Sequence, residues 1–277
     1  MPSCVDDIID VSFRNLERLR DVDGGLFFHI DSRNRVRGAK IIRYNARIME
    51  LLPKYSNVAL FLSSCLSEVS GVCLGDVGLT ITAMDRLGYG VIAKRLKAHI
   101  YGTSLVDLQK VVPDRICWIL ESCDIPELRS YVLEKRKLKH RYFGVDYVCV
   151  SAVLYAIHYL VVTGCYEEAL VWYNFLVDKF WRKNGEWLLS YFPFLDFTYR
   201  KAFSVHQLGM APLYLLELYE KTNEESILGV VQKSVDYGLQ FLNGDRVYRN
   251  LRNKETRSYE CAFDIKGLRM AKKYGVA

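Results

Sequence analysis

FSVHQLGMAPLYLLELYEKTNEESILGVVQKSVDYGLQFLNG, Phe203 to Gly244, is the stretch whose pattern decides the fold. Ser204 stands where a helix N-cap belongs. Behind it Leu208, Ala211, Leu215, Leu216 and Tyr219 recur at helical spacing, which predicts one buried face. The Glu220 to Asn223 turn reverses the chain. Ile227, Val230, Val231, Val235, Leu239 and Leu242 then mark the apolar face of a second helix, closed by Asn243-Gly244, residues that tolerate the left-handed conformation. The product is an αα-hairpin. Its layout recurs along the chain as a long apolar helix, a short turn, an amphipathic helix and a long loop.

Toward the C-terminus, Asp245 to Arg257 alternates Arg with Tyr and Leu around a turn at Arg252-Asn253-Lys254, and a last helix runs from about Tyr259 to Tyr274. Toward the N-terminus, a long aromatic loop spans Glu186 to Lys201. It follows a helix from Tyr166 to Phe180 with Ala169, Trp172, Tyr173, Leu176 and Phe180 as its inner stripe. Asp146 opens a buried helix that ends at Val162. Earlier still come an amphipathic helix over residues 4–20, a short strand at Leu26 to Ile30, and helices at Ala39 to Leu52, Asn57 to Val69 and Asp76 to Leu87. Residues 91–139 are less regular, with short helices at Val91 to His99, Leu105 to Val111, Asp114 to Cys123 and Pro126 to Lys137. The expected architecture is one all-α domain over residues 1–277, with helical hairpins in an (α/α) toroid-like barrel and short β segments in the loops. Five hairpins stand out rather than six, so the sequence leaves closure of the ring open.

Composition excludes several classes. With 51% hydrophobic and 25% charged residues over 277 positions, the chain has the apolar content of a folded protein rather than a disordered one. A net charge of +6 permits an anionic partner without demanding one. The longest apolar run, Tyr147 to Val162, is shorter than the roughly 20 residues that span a bilayer. Met1 to Asp10 lacks a basic segment followed by an apolar core, and the eight cysteines form no CxxC and no Cys/His zinc spacing. These features predict reduced thiols, no metal and a cytoplasmic location. No GxxxxGK[ST], no GxGxxG after a strand and no GxSxG occurs, so no nucleotide cofactor is expected. The basic run Glu134 to His140 reads as a solvated helix end, and the remaining cations are spread over loops rather than along one helix, which argues against nucleic acid.

Three pieces carry a family resemblance: Arg20-Asp21-Val22-Asp23-Gly24-Gly25-Leu26-Phe27, Val205 to Tyr219 with its His-Gln, small-residue and Leu-Leu pattern, and Tyr259-Glu260-Cys261-Ala262-Phe263-Asp264. They resemble the (α/α) toroids of the six-hairpin glycosidase type and the helical domain of glucuronyl C5-epimerases. The resemblance implies a sugar substrate, often one containing uronic acid, acted on by hydrolysis, elimination or epimerisation. No family motif is complete, so it assigns no catalytic residue.

Short turns at one end of the hairpins and long loops at the other would gather the long loops on a single face. From these loops the candidate catalytic residues are Asp146, Asp196, His206, Glu260 and Tyr248. The candidate substrate-binding residues are Arg43, Tyr44, Asp76, Arg141, Tyr142, Tyr199, Arg200, Arg249 and Tyr259. Tyrosine rings stack on the apolar faces of sugars and arginine pairs with carboxylate or sulfate, so this mixture suits an anionic saccharide. Glycoside hydrolysis needs an acid and a second carboxylate, which Asp76, Asp146, Asp196 and Glu260 can supply. Asp76 and Asp146 also sit where helix starts favour Asp for structural reasons, and His158, inside an apolar helix, reads as a core histidine. The expected function is a carbohydrate-active enzyme. The alternative is a non-catalytic helical scaffold that binds a protein or glycan through the same loops.

Overall fold

The structure is a computed structural model. It describes residues 4–277 except 32, 68, 70–71, 134–138, 143–144, 200, 251 and 253, and of 131, 141 and 142 only the backbone. Thirteen α-helices occur among the described residues: α1 (Cys4–Leu19), α2 (Ile42–Leu51), α3 (Val58–Cys65), α4 (Leu74–Arg86), α5 (Gly90–Tyr101), α6 (Leu105–Gln109), α7 (Pro113–Ser122), α8 (Pro126–Leu133), α9 (Val150–Val162), α10 (Tyr166–Phe180), α11 (Ala211–Thr222), α12 (Ser226–Gly238) and α13 (Ser258–Lys273).

Six of them form an inner ring. Helix α2 packs on α4, α4 on α7, α7 on α9, α9 on α11, α11 on α13, and α13 returns to α2. The outer partners are α3 on α2, α5 on α4, α8 on α7, α10 on α9, α12 on α11 and α1 on α13. The ring is therefore closed. The sixth hairpin lies in the irregular stretch 91–139, where the short α6 separates outer α5 from inner α7. Burial explains the two layers. Inner helices are covered all round: Gly75 to Met84 in α4 and Ala152 to Val161 in α9 are buried without a break. Outer α10 buries only the predicted stripe Ala169, Trp172, Tyr173, Leu176 and Phe180.

Among the described residues nine short strands lie in the loops that lead to or from inner helices. β1 (His29–Ile30) pairs with β2 (Val36–Arg37) and with β9 (Thr256–Arg257), which runs straight into α13. β3 (His140–Tyr142), β4 (Val145–Cys149), β5 (Ser190–Phe192) and β6 (Phe197–Tyr199) form an antiparallel sheet, and β4 runs straight into α9. β7 (Leu242–Asn243) and β8 (Arg246–Val247) make a hairpin.

Three local expectations are corrected. Ser204 does not cap a helix: its backbone is already helical and its hydroxyl makes no cap bond. The chain enters α11 through a π-helical turn, Val205–Met210. Pro212 in the first turn of α11 lacks the N–H that would bond back to the turn, so a regular α ladder cannot run through this point. Asn243-Gly244 does not end α12, which stops at Gly238 and a 3₁₀ turn; Asn243 closes β7, and Gly244, at φ +59°, and Asp245 turn the β7–β8 hairpin. The left-handed residue of the central hairpin is instead Asn223, at φ +53° on the end of α11. Asp146 does not open a helix, because residues 145–149 are strand β4.

Candidate functional site

The first turns of the inner helices point into one cavity of about 290 Å³. Its wall is built from Arg43, Tyr44 and Arg47 of α2, Leu79 of α4, Asp114, Arg115 and Trp118 of α7, and Ser151 and Tyr155 of α9. His206 and Met210 of the π turn, Arg249 of the following loop, and Tyr259 and Glu260 of α13 complete most of it.

One side of the cavity is aromatic. Tyr44 stacks on Tyr259 with ring centroids 4.2 Å apart, and Phe28 stacks on the outer face of Tyr44 at 5.3 Å. The guanidinium of Arg43 lies 4.9 Å from the Tyr44 ring centre and reaches Asp76 at 3.4 Å. Asp76 is buried, which raises its pKa, and Arg43 opposes that shift.

A charged group adjoins the aromatic side at Tyr259. Glu260 is 3% exposed and accepts hydrogen bonds from Arg249 Nε at 3.0 Å and from the Tyr259 hydroxyl at 3.1 Å. Burial raises the pKa of Glu260, and the nearby Arg249 and Arg257 limit the rise. Arg249 is itself held flat on Phe203, 4.2 Å away, and its carbonyl accepts from Ser204 N–H, which ties this loop to the start of the π turn. His206 sits one step on. Burial, and then the positive charge of Arg249, push its pKa down to about 3, and its Nδ1 is buried without a hydrogen-bond partner. The imidazole is therefore neutral at ordinary pH.

Asp114 follows Pro113 at the start of α7 and brings a second carboxylate to the same cavity. Burial raises its pKa, offset by His140 and Arg115. At the base of the cavity Arg47 is 2% exposed and surrounded by the rings of Tyr155, Phe263 and Trp118 at 5.1, 5.8 and 5.9 Å. It bonds Glu50 at 2.5 Å, while its Nε and Nη2 have no partner among the described residues.

Of the residues singled out in the sequence, the cavity brings together Arg43, Tyr44, His206, Arg249, Tyr259 and Glu260, with Asp76 one contact behind Arg43. Others stand outside its wall. Asp146 lies on β4, its side chain 42% exposed and 3.9 Å from Lys139. Asp196 sits at φ +43° with a side chain 76% exposed, held in its ionised form by Tyr191 and then Lys179. Tyr199 is exposed on β6. Tyr248 packs against Arg246, whose guanidinium is 5.2 Å from its ring. Arg200 lies outside the described residues, as do the side chains of Arg141 and Tyr142 and much of the basic run at 134–138. Arg47, Asp114, Arg115, Trp118, Ser151 and Tyr155 were not anticipated. The signal for Asp114 was available, since Pro followed by an acidic residue marks a helix start of the kind that carries the other site residues.

Six inner helices inside six outer ones, with a polar cavity at the inner N-termini, define an (α/α) toroid. Solved structures of this fold include the cellobiose 2-epimerase of Bacillus thermoamylovorans, 12% identical with a TM-score of 0.69 over 97% of this chain and 100% of that one. A type II terpene cyclase from Scytonema is 11% identical with a TM-score of 0.58 over 98% and 99% of the two chains. An inactive variant of an α-1,6-mannanase of Salegentibacter sp., in complex with α-1,6-mannotriose, is 9% identical with a TM-score of 0.50 over 96% and 97%. At these identities the likeness is one of fold. No protein-family model and no curated protein matches the sequence. Among the described residues no helix is long and apolar enough to cross a membrane.

Proposed function

We propose that this chain is a carbohydrate-active enzyme that carries out acid–base chemistry on a saccharide held in the cavity of the inner helices. The observation that carries this reading is the convergence, on one wall, of stacked tyrosines, arginines, two carboxylates and a neutral histidine. A terpene-sized hydrocarbon would call for a mostly apolar lining, whereas four arginines, Asp114 and Glu260 face this cavity. Guanidiniums of Arg43, Arg115 and Arg249 line the cavity and would meet the carboxylate or sulfate of an anionic sugar, although Asp76 and Glu260 already pair with two of them. At about 290 Å³ the cavity is near the lower end of the roughly 300–1,000 Å³ usual for ligand sites, which suits one sugar ring at a time rather than a long segment.

In this reading His206 is the general base, made more basic when an anionic group of the substrate offsets the charge of Arg249, and Asp114, with its raised pKa, is the acid. Glu260, anchored by Arg249 and Tyr259, orders the arginine and accepts substrate hydroxyls. Tyr44 and Tyr259 flank the ring, and Arg47 donates from below.

The test is a panel of neutral and uronic-acid-containing oligosaccharides incubated in deuterated buffer and followed by NMR. Epimerisation through an abstracted carbon-bound proton exchanges deuterium into the sugar, elimination leaves a carbon–carbon double bond in the product, and hydrolysis releases a new reducing end without either. Turnover should fall by roughly 10²-fold or more in His206→Gln and Asp114→Asn. No turnover and no binding across the panel, or full activity in both variants, would overturn the proposal and favour a non-catalytic scaffold.

A further inference from the structure

Beneath the cavity, at the far side of Arg47, three side chains from separate inner helices converge: Glu50 of α2, Glu121 of α7 and His158 of α9. One ligand-type atom from each lies within 4.8 Å of the others. Their side chains are 1%, 1% and 5% exposed. Among the described residues neither oxygen of Glu121 has a hydrogen-bond partner, and neither does Nε2 of His158. A carboxylate and an imidazole nitrogen both left open in the interior are costly, and here they face each other.

The spacing says what would satisfy them. His158 Nε2 and Glu121 Oε1 are 3.9 Å apart, too far for a hydrogen bond, which closes at about 2.7–3.2 Å. Two metal–ligand bonds of about 2.0–2.2 Å meeting at a wide angle span that distance. The other ring nitrogen, Nδ1, is 2.6 Å from Glu217 Oε2 of α11. A carboxylate on one imidazole nitrogen fixes the tautomer and directs the lone pair of the other outward, the arrangement found behind metal-bound histidines. Glu50 is likewise oriented, by Arg47 and by Arg86. With His158 neutral, three carboxylates face two guanidiniums, so the cluster carries one negative charge before any ion enters.

We propose that Glu50, Glu121 and His158 bind one divalent cation of the zinc class, with Glu121 using both oxygens and Glu217 supporting His158. The ion is structural: Arg47 and Tyr155 line the cavity above it, and none of the three ligands does. It joins α2, α7 and α9 directly and α11 through Glu217, four of the six inner helices. The sequence gives no hint of it, because the ligands are far apart in the chain and obey no spacing rule.

The competing occupant is a proton on His158, pairing it with Glu217 and Glu121. To separate the two, the full-length protein is stripped with a chelator, dialysed, and titrated with Zn²⁺ and with Co²⁺. The expected result is one equivalent of metal per chain by elemental analysis, visible Co²⁺ absorption of a low-coordinate N/O site, and a rise in Tm of roughly 5 °C at a hundredfold excess over Kd. Glu121→Gln, nearly isosteric, should fold and bind at least a hundredfold more weakly with no Tm rise. Failure of the wild-type chain to bind one equivalent, or equal binding by Glu121→Gln, overturns the proposal in favour of the protonated pair. These readouts are independent of any sugar chemistry, so their outcome leaves the reading of the cavity standing or falling on its own test.

Discussion

Tyr44 and Tyr259 stack at 4.2 Å with their ring planes 14° apart, and they belong to the first and the last inner helix of the chain. The contact therefore seals the ring at the junction where its ends meet, and it does so on the cavity wall. Tyr44→Ala is expected to destabilise the fold by about 2–3 kcal/mol, from lost burial and the lost ring pair, and to raise KM for the saccharide more than it lowers kcat. Tyr44→Phe should keep the stability. Chemical denaturation beside steady-state kinetics checks both, and an Ala variant as stable as the parent would contradict the sealing role.

Arg249 and Glu260 form a pair whose carboxylate is buried. Removing only the guanidinium, in Arg249→Met, leaves that carboxylate without its main counter-charge and should cost about 3 kcal/mol. Arg249→Met combined with Glu260→Gln should recover most of the loss. A double-mutant cycle in urea gives the coupling, and additive losses would show that the pair contributes little.

His206 sets an acid limit. Its folded pKa of about 3 lies below the usual 6.5, so the folded state binds fewer protons than the unfolded state between these values. The stability it confers is full above about pH 6.5 and is lost as pH falls toward 3, at a slope of up to about 1.4 kcal/mol per pH unit. His206→Gln should flatten that part of the profile. Equal acid sensitivity in both proteins would mean that the imidazole is already protonated in the native state.

Gly209 and Gly267 let the π turn before α11 lie directly on α13. A Cβ at Gly267 would come within 2.3 Å of the Gly209 carbonyl oxygen, and one at Gly209 within 2.6 Å of Phe263 Cβ. Backbone blocks the first position, so Gly267→Ala should cost about 2–3 kcal/mol and displace His206 and Glu260 together. Paired measurements of Tm and kcat/KM test this; loss of stability with unchanged activity would separate the crossing from the site.

The hairpin layout was legible because outer helices write their burial into a 3.6-residue stripe, as α10 does. Inner helices are covered on every side and lose that stripe, which is why the place of α7 in the inner ring and the closure of the ring were not readable. Arg43, Tyr44, His206, Arg249, Tyr259 and Glu260 were recoverable because they lie at or just before helix starts. Asp146 and Asp196 occupy similar loops, yet β4 through β6 form a sheet that carries them away from the cavity wall. Arg47 lies one turn inside α2, where a single sequence does not distinguish a solvent-facing arginine from one aimed at the centre of a ring.

The shared direction of the inner helices has an electrostatic consequence. Each peptide macrodipole places roughly half a positive charge at its amino end, and six such ends surround the same opening. An anionic ligand would meet this background field before it meets any side chain. Replacing one arginine should therefore weaken capture only in part, while added salt should weaken it in every variant.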